Sequence, residues 1–123
     1  MQPNAEKRRA YILDTVDTWI RQGQLKPSRI VIQSLYEKSK TCLADIDSVG
    51  KVKIVTDQGK WRNDEGVLFA SVRAFKGLEA DAVMFIDIPD VKKNEYFSEA
   101  DLYVGCSRAK HLLVVSAKEK ITI

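Results

Sequence analysis

One histidine and two cysteines are all that this 123-residue chain holds of imidazole and thiol chemistry. Cys42 and Cys106 stand far apart, form no CxxC and have no histidine beside them, so no zinc-type spacing exists. They read as buried, reduced thiols of a cytoplasmic protein. His111 has neither a cysteine nor a carboxylate placed as a nucleophile partner and receives no catalytic role. No apolar run approaches the roughly 20 residues that cross a bilayer. The N-terminal MQPNAEKRRA lacks the apolar stretch of a secretory signal. No membrane partner is therefore expected. Repeats, low-complexity tracts and a linker to a second domain are absent too. Charge of one sign is scarce: 20 basic residues face 17 acidic ones, for a net +3. That balance permits a nucleic-acid partner without arguing for one, because steering depends on where the charge sits. What remains is 45% hydrophobic and 30% charged, an ordinary composition for a globular domain. Residues 1–123 read as a single domain with one core.

Along the chain, Ala10, Leu13, Val16, Trp19 and Ile20 recur at three- and four-residue steps. This predicts an amphipathic helix from Ala5 to about Gly23, where the glycine stops it. LKPS turns the chain, and RIVIQSL (29–35) reads as a buried strand. YEKSKTCLADI suits a second helix with Leu43 and Ile46 facing inward. KVKIV (51–55) alternates as a strand, and DQGKWRNDEG reads as a polar loop. VLFASVRAF (67–75) is a third strand. ADAVMFIDI (80–88) is a fourth, apolar enough for the middle of a parallel sheet. A loop, a helix over about 97–109 and the strand HLLVVSA (111–117) complete the chain. Strands alternating with helices predict an α/β sheet covered on both faces.

Three features invite a catalytic reading and do not sustain it. QGKW, around Gly59 and Lys60, is no P-loop. Trp61 stands where Ser or Thr must hold magnesium, and Ile54 where the first glycine must open the loop. Asp87 ends an apolar strand at the position of many magnesium-binding aspartates, yet without a P-loop it reads as a strand-terminating residue. His111 is the third. In SVRAFKGLEAD (71–81), by contrast, Ser71 and Arg73 share one face of a strand end. Lys76, Gly77 and Glu79 follow in a tight turn, where a glycine lets backbone approach a ligand closely. Arg108 sits in the last turn of a helix and directly before a strand. There a cation either stabilises the helix end or reaches a phosphate. In an open parallel sheet Glu79 and Arg108 can reach one edge, an acceptor suited to a ribose hydroxyl beside a planar cation suited to a phosphate.

These residues carry a resemblance. VLFASVRAFKGLEADAVMFIDI is similar to motif V of UvrD/Rep-type superfamily 1 helicases, roughly T-x-H-x-x-K-G-L-E before a hydrophobic strand. ADLYVGCSRAKHLLVVSA is similar to their motif VI, roughly L-Y-V-x-x-[ST]-R-A-[KR]-x-x-L. RRAYILDTVDTWIRQGQLKPSRIVIQSL resembles the helix and strand upstream of motif V. The resemblance covers most of the chain outside residues 1–6 and 57–66. It implies the C-terminal part of a second RecA-like domain (the P-loop NTPase-like α/β fold), with a mainly parallel sheet and helices on both faces. It also implies ATP bound between this domain and a first RecA-like domain, with Mg²⁺ held by that first domain. Arg108 then matches the arginine finger that contacts the γ-phosphate, a device worth roughly 10³ to 10⁵ in rate in related phosphoryl transfers. Glu79, with Gly77 beside it, matches the contact to the nucleotide sugar. Ser107 matches the small hydroxyl residue before the finger. Ser71, Arg73 and Lys76 match positions along a single-stranded nucleic-acid path, DNA being favoured by the KGLE form.

The chain departs from the pattern in ways that matter. Arg73 stands for the usual histidine and Ala80 for the usual aromatic. Too little chain flanks KVKIV to hold the accessory domain that UvrD and Rep insert nearby. The P-loop, the magnesium aspartate and the arginine-bearing motif that opens the second domain are all missing. The chain is therefore expected to be a piece of a longer helicase, unable to hydrolyse ATP unaided. The alternative is a non-catalytic nucleic-acid- or protein-binding domain derived from a helicase. A flavodoxin-like signalling domain ranks behind both, because Asp87 stands almost alone at the strand ends. Trp19 and Tyr103 read as packing residues and Lys92 and Lys93 as solvated charges. Trp61 reads as a loop anchor, with base stacking as the competing role.

Overall fold

The structure, a computed structural model, describes residues 5–71, 80–88 and 109–117. Arg73, Lys76, Gly77, Glu79, Lys92, Lys93, Tyr103, Cys106, Ser107 and Arg108 lie outside the described residues. So does all but the last residue of the helix expected over 97–109. That last residue, Ala109, opens a strand instead.

Helix α1 (Ala5–Arg21) leads into β1 (Ile30–Ser34). A hairpin follows, made of β2 (Ser48–Val49) and β3 (Val52–Val55). Next come α2 (Gln58–Arg62), β4 (Val67–Ser71), β5 (Ala80–Ile88) and β6 (Ala109–Ala117). The strands form one sheet in the order β2-β3-β4-β1-β5-β6. Every pairing is parallel except the short one between β2 and β3. The expected mainly parallel α/β sheet is therefore present. β4 and β5 flank β1, so residues 72–79 join the carboxyl end of one strand to the amino end of the other.

Both faces are apolar, which is why these strands read as continuous hydrophobic runs rather than alternating ones. On one face Ile12 and Val16 of α1 pack on Ile30, Ile32, Val67, Phe69, Met84 and Ile86. On the other, Trp61 of α2 packs on Val31, Leu68, Ala70, Ala80 and Val83. Burying one large apolar side chain is worth about 1.5–3 kcal/mol, so this two-sided core fixes the register of the sheet. Ala80 lies on the opposite face from Ala82 and Met84. The β5–β6 register is irregular between Ala80 and Ala82, which accounts for the reversal.

Three readings need correction. Residues 36–46 form no second α-helix but a 3₁₀ turn over Lys38–Lys40 followed by further tight turns. Thr41 donates its hydroxyl to the Lys38 carbonyl at 2.8 Å and accepts the Leu43 amide at 3.2 Å. Such side-chain bonds compete with a helix ladder. The Cys42 amide, which a helix would use, is taken by Asp87 instead. Leu43 still faces the core and Ile46 packs against it. The polar loop at 57–66 contains α2, because the Asp57 carboxylate caps it by accepting the Lys60 amide at 3.0 Å, as an N-cap residue does. In α1, Leu13, Val16, Trp19 and Ile20 face the core as expected, whereas Ala10 is exposed and Ile12, outside the expected set, is buried. Gly23 does end that helix. A side chain there would meet the Trp19 carbonyl oxygen at 2.8 Å. Among the described residues no helix is long and apolar enough to cross a membrane.

Candidate functional site

Ser71 is the last residue of β4 and the register partner of Ser34, so both hydroxyls lie at the carboxyl edge of the sheet. Beside Ser71 an open groove of about 250 Å³ is lined by Glu37, Lys38, Thr56 and Gln58. Phe69 and Ala70 contribute apolar lining. The strand ends of parallel sheets commonly bind ligands on this edge. Lys38 is held in place, its ammonium donating to the Ala44 carbonyl at 3.3 Å and lying 3.8 Å from the Asp47 carboxylate.

The same edge carries a junction that sequence reasoning missed. Asp87, only 2% exposed, accepts Arg8 Nε on Oδ1 at 3.2 Å and the Cys42 amide on Oδ2 at 2.8 Å. Its backbone is left-handed, with φ 51°. The β5–β6 register is irregular between Phe85 and Ile88, as at a β-bulge, which bends a strand and re-aims a side chain. Each carboxylate oxygen thus has one partner. Among the described residues no group of three or more His, Cys, Asp or Glu side chains could hold a metal. Arg8 was not singled out from the sequence; the signal that could have found it is the four-residue repeat of positions 8, 12 and 16, which puts an arginine on the buried stripe of α1.

Cys42 is a free thiol, half-buried rather than fully buried. Burial first, and then the negative charge of Asp87, push its pKa from 9.0 to about 11, with Arg8 opposing the shift. It is a protonated, poorly nucleophilic thiol at neutral pH. Trp61 is no stacking platform. It is 6% exposed and its indole N–H donates to the carbonyls of Pro27 and Ile30, each at 3.0 Å. That settles it as an anchor, pinning the turn before β1 onto α2.

At the opposite, amino edge, Ala80 of β5 is the register partner of Ala109 of β6. These residues directly follow Glu79 and Arg108 in the chain. Ser71 is thus at one end of the sheet, and the entries to β5 and β6 are together at the other. Arg29 and Asp81 form an ion pair of 3.5 Å at that amino edge. His111 lies within β6 rather than opening it.

A scan against protein-family models finds none that matches this chain, and a search of the curated proteins finds no match either.

Proposed function

We propose that this chain is the C-terminal part of the second RecA-like domain of a superfamily 1 DNA helicase or translocase. In this reading it supplies the motif V and motif VI side of an ATP site shared with a first RecA-like domain. The observation that carries the proposal is the pairing of Ala80 with Ala109. The two segments that resemble motifs V and VI enter the sheet side by side, on neighbouring parallel strands. Of this chain's residues, Glu79, with Gly77 next to it, takes the nucleotide sugar and Arg108 the γ-phosphate. Magnesium belongs to the partner domain, in keeping with the engaged carboxylate of Asp87. Single-stranded DNA runs along the carboxyl edge, past Ser71 and the segment bearing Arg73 and Lys76. There hydroxyls and cations meet phosphate without reading sequence. ATP binding and DNA binding are then coupled because each favours particular closed or open arrangements of the two domains.

The test is DNA-stimulated ATP hydrolysis by the full-length native polypeptide and its Arg108→Ala variant. Turnover is expected to fall by about 10³ or more in the variant, the magnitude of a lost arginine finger, with nucleotide binding and folding retained. Unchanged turnover would leave Arg108 as a helix-end cation. A native polypeptide with no ATPase to lose would favour the alternative, a binding domain derived from a helicase.

A further inference from the structure

Asp87 has more holding it than a strand end requires. A buried carboxylate costs several kcal/mol unless it is paired and hydrogen-bonded, and both conditions are met by Arg8 and the Cys42 amide. Left-handed backbone costs a non-glycine residue roughly 1–2 kcal/mol more. A strand can end without either expense. What the arrangement achieves is to direct one carboxylate at two other elements, α1 and the segment after β1.

That segment is the wall of the Ser71 groove. Residues 37–46 are a compact run of turns, closed by bonds from the Lys40 amide to the Glu37 carbonyl, Thr41 to Lys38, Ala44 to Thr41 and Ile46 to Leu43. The unit is tied to the sheet by buried Leu43 and by the Cys42 amide on Asp87. It presents Glu37 and Lys38 to the groove, which Thr56 and Gln58 also line. Asp87, Arg8 and Cys42 do not line that groove, so any influence they have on it passes through the turns.

We propose that Asp87 is a positioning residue for the carboxyl-edge groove, holding the 37–46 wall in register with Ser71 through the Cys42 amide while Arg8 supplies the counter-charge. Its functional consequence rests on the nucleic-acid reading of that groove. Its structural content does not.

The experiment compares two double variants of the full chain, Arg8→Met with Asp87→Asn and Arg8→Met with Asp87→Ala. Both remove the ion pair, and only asparagine keeps an oxygen for the Cys42 amide. Hydrogen exchange of that amide is expected to be about tenfold faster in the alanine double than in the asparagine double, the size of one lost hydrogen bond. A fluorescent oligothymidylate should bind the asparagine double like the native chain and the alanine double severalfold more weakly. Equal exchange in the two doubles would overturn the proposal. Different exchange with native oligothymidylate affinity in both would reduce Asp87 to a structural residue and overturn its positioning role. If the native chain does not bind oligothymidylate, the nucleic-acid reading fails, and the exchange comparison alone decides whether Asp87 holds the wall. Should the alanine double not fold, Asp87→Glu, which displaces the carboxylate by one methylene, is expected to speed Cys42 exchange. Native exchange there would overturn the pin.

Discussion

At its amino end β5 begins on Ala80, a small side chain packed with Val31 and Val83 and paired across to Ala109. At its carboxyl end it reaches Asp87, a buried carboxylate in left-handed backbone, held by an arginine and an amide. Both ends carry an irregularity in the pairing with β6, while Ala82 to Phe85 pair in regular succession. The middle is governed by area: five consecutive side chains, Ala82 to Ile86, are fully buried, and any regular strand with that pattern would suffice. The ends are governed by geometry. One carries a small side chain where the strand changes face, and the other uses charge to fasten three elements together. A strand can thus be ordinary where it carries the fold and particular where the chain must leave it for a loop.

The largest effect should come from the charged end. Asp87→Ala leaves the Arg8 guanidinium buried beside a lost counter-charge and withdraws the acceptor of the Cys42 amide. Breaking a buried pair on one side costs about 3–5 kcal/mol. A urea titration should show the midpoint fall accordingly, and adding Arg8→Met should restore part of the loss by removing the buried cation. A single variant within about 0.5 kcal/mol of native, the size of an ordinary surface substitution, would mean that the junction is decoration and the comparison is wrong.

The amino end should respond to volume instead. Ala80→Phe places a large aromatic at a site 4% exposed among Val31, Leu68 and Val83. Overpacking of this kind costs about 1–3 kcal/mol. If the variant is as stable as the native chain, the region has room for an aromatic and Ala80 does not set the change of face.

The same contrast explains what could be read from the residues alone. ADAVMFIDI announced β5 with its bounds correct, because a continuous apolar run between polar segments has few other uses in an α/β chain. β1 and the start of β4 were legible for the same reason, and β3 by its alternation. The second helix was misread because the three-residue spacing of Leu43 and Ile46 is also what successive tight turns produce. The deciding interaction, Asp87 on the Cys42 amide, spans 45 residues of chain. Arg8 was visible as a charge and not as a buried one, since its partner lies 79 residues away. For the candidate site, the placement of Ser71 at a strand end followed directly from the pattern. The groove wall from Glu37 and Lys38 did not, because it depends on how the turns after β1 are held. Trp61 shows the limit of composition: a tryptophan in a polar loop looks available for stacking until the two carbonyls that receive its N–H are known.

The smallest effect is expected at the ion pair that superficially matches the junction. Arg29 and Asp81 lie 3.5 Å apart at the amino edge, but the Arg29 side chain is 59% exposed and that of Asp81 20%. Their Coulomb attraction acts largely through water and is opposed by the entropy of holding a long side chain still. Exposed pairs of this sort contribute about 0.2–1 kcal/mol and weaken as salt shortens the Debye length from about 10 Å at 0.1 M to 3 Å at 1 M. A double-mutant cycle with Arg29→Ala and Asp81→Ala should therefore give a coupling energy within that range at low salt and close to zero at 1 M. The Arg8–Asp87 cycle, shielded from solvent, should keep most of its coupling under the same change. If the two cycles respond alike to salt, burial does not separate the two ends of β5, and the amino edge is pinned by charge as well.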